Sequence, residues 1–129
     1  MLARHDPDDF YEAVRLQHEA FEDVARRLRD AGDGEYRPEI WYHTPSGEAI
    51  RVAYVARDAG SDVLELQGQD RRGDPCVVIA STASAQIVVK LASISEPELS
   101  PGRKPVGFGP RRSGPLTPEN PDWRLPMDG

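Results

Sequence analysis

The spacing of apolar residues changes once along this chain of 129 residues, from every third or fourth position before residue 32 to every second position after residue 38. A period near 3.6 places apolar side chains on one side of an α-helix, and a period of two places them on one face of a β-strand. A chain of this length forms one domain with one core. We therefore expect an α+β fold in which an N-terminal helix packs on a sheet.

Residues 6–32 predict an amphipathic helix. Asp6 is a suitable N-cap, Pro7 suits the first helical position, and Gly32 suits a left-handed C-terminal cap. Because an isolated helix of this kind is only marginally stable in water, its apolar side must pack on another element. The residues that recur on that side are Phe10, Val14, Phe21, Val24, Ala25 and Leu28.

Residues 38–95 predict four or five antiparallel strands in a meander, at about 39–43, 50–57, 63–67, 76–80 and 86–91. The connections between these segments are too short for the crossover helices that parallel strands need. We expect the helix to cover one face of this sheet, which is either a four- to five-stranded meander or a small open barrel. The domain then spans residues 6–95 and follows a disordered start at residues 1–5.

The second face of the predicted sheet is also apolar, although the solvated face of an antiparallel sheet is normally polar. Either the sheet curls and buries part of this face, or a partner covers it. We therefore expect a protein partner or a homo-oligomer. The apolar residues assigned to this face are Val55, Val63, Val77, Ile79 and Val88.

The last third of the chain differs in composition, with eight Pro and five Gly among its final 35 residues. It holds too few branched apolar residues for a second core, so residues 96–129 predict an extended Pro-rich tail. Its spaced apolar side chains suit docking on a partner or on the domain of the same chain. The partner-binding candidates, from sheet and tail together, are Val55, Val63, Val77, Val88, Val106, Phe108, Trp123 and Leu125.

The sequence shows no motif for catalysis, for a metal or for a cofactor, and we expect none of the three. Its histidines lack ligand spacing, and neither G-x-S-x-G nor C-x-x-C occurs. Cys76 lies in a predicted strand, which favours a small buried apolar residue over a reactive thiol. A small-molecule or catalytic site at Trp41, Tyr42 and His43 is the alternative to packing of these aromatics in the core.

The composition disfavours two classes of partner. A formal net charge of -6 weakens binding to nucleic acid and to anionic membranes, since both need a cationic surface. The single cysteine and the absence of a long apolar run predict a reducing, cytoplasmic setting without a membrane partner. The excess of 14 Arg over 2 Lys is typical of GC-rich bacterial genomes.

Residues 66–69 (Leu-Gln-Gly-Gln), 77–79 (Val-Val-Ile) and 86–90 (Gln-Ile-Val-Val-Lys), with Asp74 and Ala92, resemble strand sequences of bacterial Sm-like RNA-binding proteins. The resemblance covers about residues 64–94. It implies a small β-barrel behind an N-terminal helix that forms rings and binds single-stranded RNA. The nucleic-acid contacts in that case are Arg71, Arg72, Gln86 and Lys90.

The favoured hypothesis is a non-enzymatic assembly or adaptor protein. It would associate with itself or with a protein partner through the apolar sheet face and the tail. Single-stranded RNA binding and the Trp41, Tyr42 and His43 site remain the two alternatives.

Overall fold

A computed structural model of the chain describes residues 6–58, 60–94 and 106–110. These residues form one helix followed by strands, which confirms the α+β expectation. The elements in chain order are α1 Pro7–Asp30, β1 Tyr36–His43, β2 Ala49–Arg57, β3 Val63–Gln69, β4 Pro75–Ser81, β5 Ile87–Ser93 and β6 Gly107–Pro110.

The helix α1 begins and ends where its capping residues predict. The side chain of Asp6 accepts a hydrogen bond from the backbone N–H of Asp8, which satisfies one of the free donors of the first turn. At the other end Gly32 has a φ of 75°, a conformation that glycine adopts without strain. The most buried residues of α1 are Tyr11, Val14 and His18.

Five strands form an antiparallel sheet in the order β4-β3-β2-β1-β5. The predicted meander holds from β1 to β4, but it is wrong for β5, which pairs with β1 at the opposite edge. A sixth strand, β6, pairs with β2 in parallel. The helix packs on the sheet from the side of β1 and β5.

The short connection between β4 and β5 requires the sheet to curl. The strand registers place Ile87, the start of β5, level with the start of β4, whereas residues 82–86 leave from the end of β4. In a flat sheet these two points would lie roughly 30 Å apart. Five connecting residues reach at most about 22 Å, so the two edges must approach each other.

The core lies on the concave face of this curled sheet, which we call the core face. Ile40, Val52, Leu64 and Leu66 are fully or almost fully buried there, with Tyr11 of the helix against them. Helix and sheet thus share a single core, as the chain length predicts.

A β-bulge in β2 changes which residues of this strand face the core. The register against β3 shifts between Val52 and Tyr54, so that Val52 and Val55 both point inward. Strict alternation places Val55 on the second face, but the structure buries it completely, with 0% of its surface exposed. Val55 is therefore wrong as a partner-binding candidate.

Residues 106–110 belong to the domain, although they lie inside the predicted tail. The strand β1 pairs only with the first half of β2, residues 49–52, and β6 takes the place beside the second half. Val106 and Phe108 pack against the core cluster of their own chain. Both partner-binding candidates are thus used within the fold. The rest of the predicted tail and residues 1–5 lie outside the described residues.

Candidate interaction surface

The face of the sheet opposite the core, which we call the outer face, carries exposed apolar side chains at both edges. At the first edge, Val63 and Val77 are each 38% exposed and Ile79 is 60% exposed. Ile79 lies opposite Glu65 in the register, so Val63 and Val77 are its neighbours on the same face. We call these three residues the β4 patch. Ile79 lies on the predicted second face but is absent from the predicted site, since alternation does not rank exposure.

The strand β4 is an open edge among the described residues, because β3 is its one neighbour. Its sequence, Pro-Cys-Val-Val-Ile-Ala-Ser, has no charged side chain. Soluble proteins usually protect an edge strand with charge, a proline within the strand, a bulge or a covering element. Proline stands here at the first position, so the residues after it present an unprotected edge.

The second edge, β5, carries Val88 on the outer face with 42% of its surface exposed. Val88 lies directly opposite Trp41 of β1, and the two residues form what we call the β5 patch. The ammonium group of Lys90 lies 5.3 Å from the centre of the Trp41 ring. The ring is also oriented by a hydrogen bond of 3.0 Å from its Nε1 to Glu39. Trp41 is therefore fixed on the outer face and does not lie under the helix.

The three residues proposed for a small-molecule site do not share a face. Tyr42 packs against the core, whereas Trp41 and His43 occupy the alternate positions of β1 on the outer face. His43 is exposed at the end of the strand. Only two of the three side chains can therefore act on one ligand, and the site as predicted is wrong.

The candidate RNA contacts lie at both edges of the sheet. Arg71 and Arg72 are exposed in the turn between β3 and β4, whereas Gln86 and Lys90 are exposed at β5. The side chain of Asp70 accepts hydrogen bonds from the backbone N–H groups of Arg72 and Asp74, which places a carboxylate beside these arginines. RNA binding stays a prediction, which a gel shift with labelled oligoribonucleotides at low salt tests.

Two glutamines of β3, Gln67 and Gln69, lie on the outer face between the two edges and are buried. Gln67 is only 1% exposed, and its register places it between Tyr54 and Val77. Its Oε1 has no hydrogen-bond partner among the described residues. The alternation of β3 does not predict this burial, because a polar residue on an outer face is normally solvated. The exposed apolar surface is thus divided into two patches.

Phe108 lies in a small cluster of aromatic rings with Tyr11 and His18. The ring of Phe108 meets the ring of Tyr11 edge to face, with centroids 6.0 Å apart, and that of His18 at 5.4 Å. His18 is 3% exposed, and its Nε2 has no hydrogen-bond partner among the described residues. Burial lowers the pKa of His18, and the carboxylate of Glu22 opposes this effect. The imidazole is therefore neutral at pH 7 and packs as an aromatic ring.

Among the described residues, the remaining reactive groups do not converge on a site. Burial raises the pKa of the Cys76 thiol, and Asp70, Glu48 and Asp74 add to the effect. This thiol is less ionised at neutral pH than a free cysteine, and it is a poor nucleophile. No group of three metal-ligating side chains occurs within the described ranges.

Among the described residues, no helix combines the length and the apolar character that crossing a membrane requires. The candidates Trp123 and Leu125 lie outside the described residues.

No protein-family model matches this chain, and no curated protein or solved structure is significantly similar to it.

Proposed function

We propose that the protein is a non-enzymatic assembly protein whose copies join edge to edge, with β4 of one copy beside β5 of the next. This is the self-association expected from the apolar second face. The exposed apolar residues that support it lie at the two edges of the sheet.

The observation that carries the proposal is the open edge of β4. Among the described residues β4 pairs on one side only and carries no charged side chain, and Val77 and Ile79 add exposed apolar surface. An edge of this kind is a template for a further strand. A strand added there would complete the hydrogen bonds of the edge and cover the β4 patch.

The strand β5 of a second copy suits this position in three respects. It has the same length as β4, seven residues, and it is the other open edge of the sheet among the described residues. It carries Val88 on the same outer face as the β4 patch, and Trp41 of β1 lies directly opposite Val88. Pairing of the two edges in register would extend the outer face continuously across the interface.

Pairing of β4 with β5 joins two different surfaces, so each copy keeps one free edge of each kind. Repetition of such a contact produces a ring if the rotation between copies closes, and a filament if it does not. The protein would then act as a scaffold that presents its helix and its tail at regular intervals.

The experiment uses one blocked edge in each of two variants. Ile79→Lys places a charge in the β4 patch, and Val88→Lys places one in the β5 patch. Light scattering should show each variant alone at the chain mass of 14.3 kDa. An equal mixture should contain a heterodimer, because one intact β4 edge and one intact β5 edge then meet and cannot extend further.

Leu16→Lys is the matched control. Leu16 is an exposed apolar residue of the helix and belongs to neither patch. It should keep the wild-type mass. Association of Val88→Lys by itself would show that β4 pairs with β4, and a mixture that stays at 14.3 kDa would contradict edge pairing altogether.

A further inference from the structure

The strand β6 occupies a position that the rest of the sheet leaves vacant. Because β1 pairs with residues 49–52 only, the second half of β2 has an open side, and Gly107–Pro110 fills it in parallel. We call the acceptor of β6 the β6 seat, and it consists of β2 residues 54–57 with Tyr11 and His18 of the helix.

The β6 seat selects an aromatic residue between two glycines. On the core face, Phe108 lies beside Val55 in the register, packs against the core cluster and meets the rings of Tyr11 and His18. The inserted ring must be large, because a smaller side chain would leave a void between helix and sheet.

On the outer face, the Tyr54 side chain lies flat across the two glycines. A Cβ atom at Gly107 would lie 2.7 Å from Tyr54 Cδ1, and one at Gly109 would lie 2.4 Å from Tyr54 Oη. The Tyr54 hydroxyl also donates a hydrogen bond of 3.1 Å to the carbonyl of Pro110. Any residue other than glycine at these two positions must therefore displace the tyrosine.

The occupant of the seat can come from a second copy as well as from the same chain. It contributes four strand residues and one large side chain, so its release disrupts far less than global unfolding does. Residues 95–105 separate it from Ile94, and eleven residues reach as far as about 35 to 40 Å. This reach is sufficient to cross to a neighbouring molecule of similar size.

We propose that the β6 seat is a peptide-acceptor site for the motif Gly-aromatic-Gly and that it exchanges its own strand for the β6 strand of a second copy. The chain itself supplies the one sequence that the structure shows to fit the seat. This exchange would join copies through the tail, independently of the β4 and β5 edges.

The first test measures binding of a fluorescent peptide with the sequence of residues 104–112 to full-length variants whose own strand is defective. Phe108→Ala removes the inserted ring, and Gly109→Ala collides with Tyr54, so either variant should leave the seat open. Anisotropy should show that both bind the peptide at least about tenfold more tightly than the wild type, whose seat is filled. A peptide with alanine at Gly107 and Gly109 is the control and should lose this advantage.

Two variants are used because Phe108→Ala could fail to fold, which circular dichroism reports. If a folded variant binds the 104–112 peptide no better than the wild type does, the acceptor site is contradicted.

The second test asks whether a second copy is the occupant. The chain is unfolded and refolded at high concentration in the Ile79→Lys background, in which edge pairing is blocked. Exchange predicts a dimer that is absent when Phe108→Ala or Gly109→Ala is added. Peptide binding without this dimer would contradict exchange between copies. A dimer in this refolding experiment, together with no heterodimer in the mixture of Ile79→Lys and Val88→Lys, would contradict the proposed function alone.

Discussion

Gly68 shows how one residue determines the path of a neighbouring strand. It stands on β3 opposite the bulge of β2, where a Cβ atom would lie 2.0 Å from the carbonyl oxygen of Arg51. The absence of a side chain lets β2 approach, and the shifted register turns Val55 into the core. Sequence alternation could not predict this, because a bulge depends on the contact between strands and not on the order of residues within one.

Gly68→Ala should lower the free energy of unfolding by about 3 kcal/mol, because the added methyl group meets backbone atoms that cannot rotate away. Urea denaturation measures this loss. Gly73→Ala is the matched variant, since its φ of 86° costs an alanine about 1 kcal/mol while the space around it is open. Equal losses in the two variants would show that β2 does not depend on close approach at Gly68.

His18 should make the domain less stable as the pH falls. Because burial lowers its pKa in the folded state, the unfolded chain takes up the proton first as the pH falls through about 6.5. Stability should therefore decrease between pH 7.5 and pH 5.5, and His18→Gln should flatten this decrease.

Val14→Ala is the control for His18, as it alters the same buried side of the helix without a titrating group. It should lower the free energy of unfolding equally at both pH values. A His18→Gln variant with the full wild-type pH dependence would assign that dependence to other groups.

The start of the helix α1 is fixed to the end of β2. The guanidinium of Arg57 donates to the carboxylate of Asp8 and lies 4.4 Å from the centre of the Tyr11 ring. Asp8 also accepts a hydrogen bond from the backbone N–H of Gly60. The partners of Asp8 are 49 and 52 residues away in the chain, so no local sequence signal indicates these contacts.

Asp8→Ala should cost about 1 to 2 kcal/mol, because it removes a partly buried charge pair together with the helix charge effect. Asp9→Ala changes an exposed neighbour in the same turn and should cost about 0.5 kcal/mol. Chemical denaturation of both variants gives the comparison. If the two losses are equal, Asp8 acts through the helix dipole alone.

The helix and the five antiparallel strands were predictable because their signals are local. Caps mark the helix, and alternation with intervening turns marks the strands. The strand β6 was not, since Gly-Phe-Gly has no alternation to detect and its pairing with β2 is between distant parts of the chain. For the same reason, the sequence does not distinguish the apolar residues that pack in the fold from those that stay exposed. The first group is Val106 and Phe108, and the second is Val63, Val77 and Val88.

The whole molecule keeps two different open edges among the described strands, although its sheet is curled. The short connection after β4 brings the sheet round on itself, yet β4 and β5 do not pair with each other among the described strands. The molecule therefore presents two edge strands of equal length, each paired on one side only among the described strands and each with apolar residues on the outer face. Association of copies through β4 and β5 would cover both edges at once.

Sedimentation velocity of the wild-type chain across micromolar concentrations tests this account most directly. Edge pairing predicts a mass that is a multiple of 14.3 kDa and that rises with concentration until the assembly closes or continues to grow. A single species of 14.3 kDa at every concentration would contradict it.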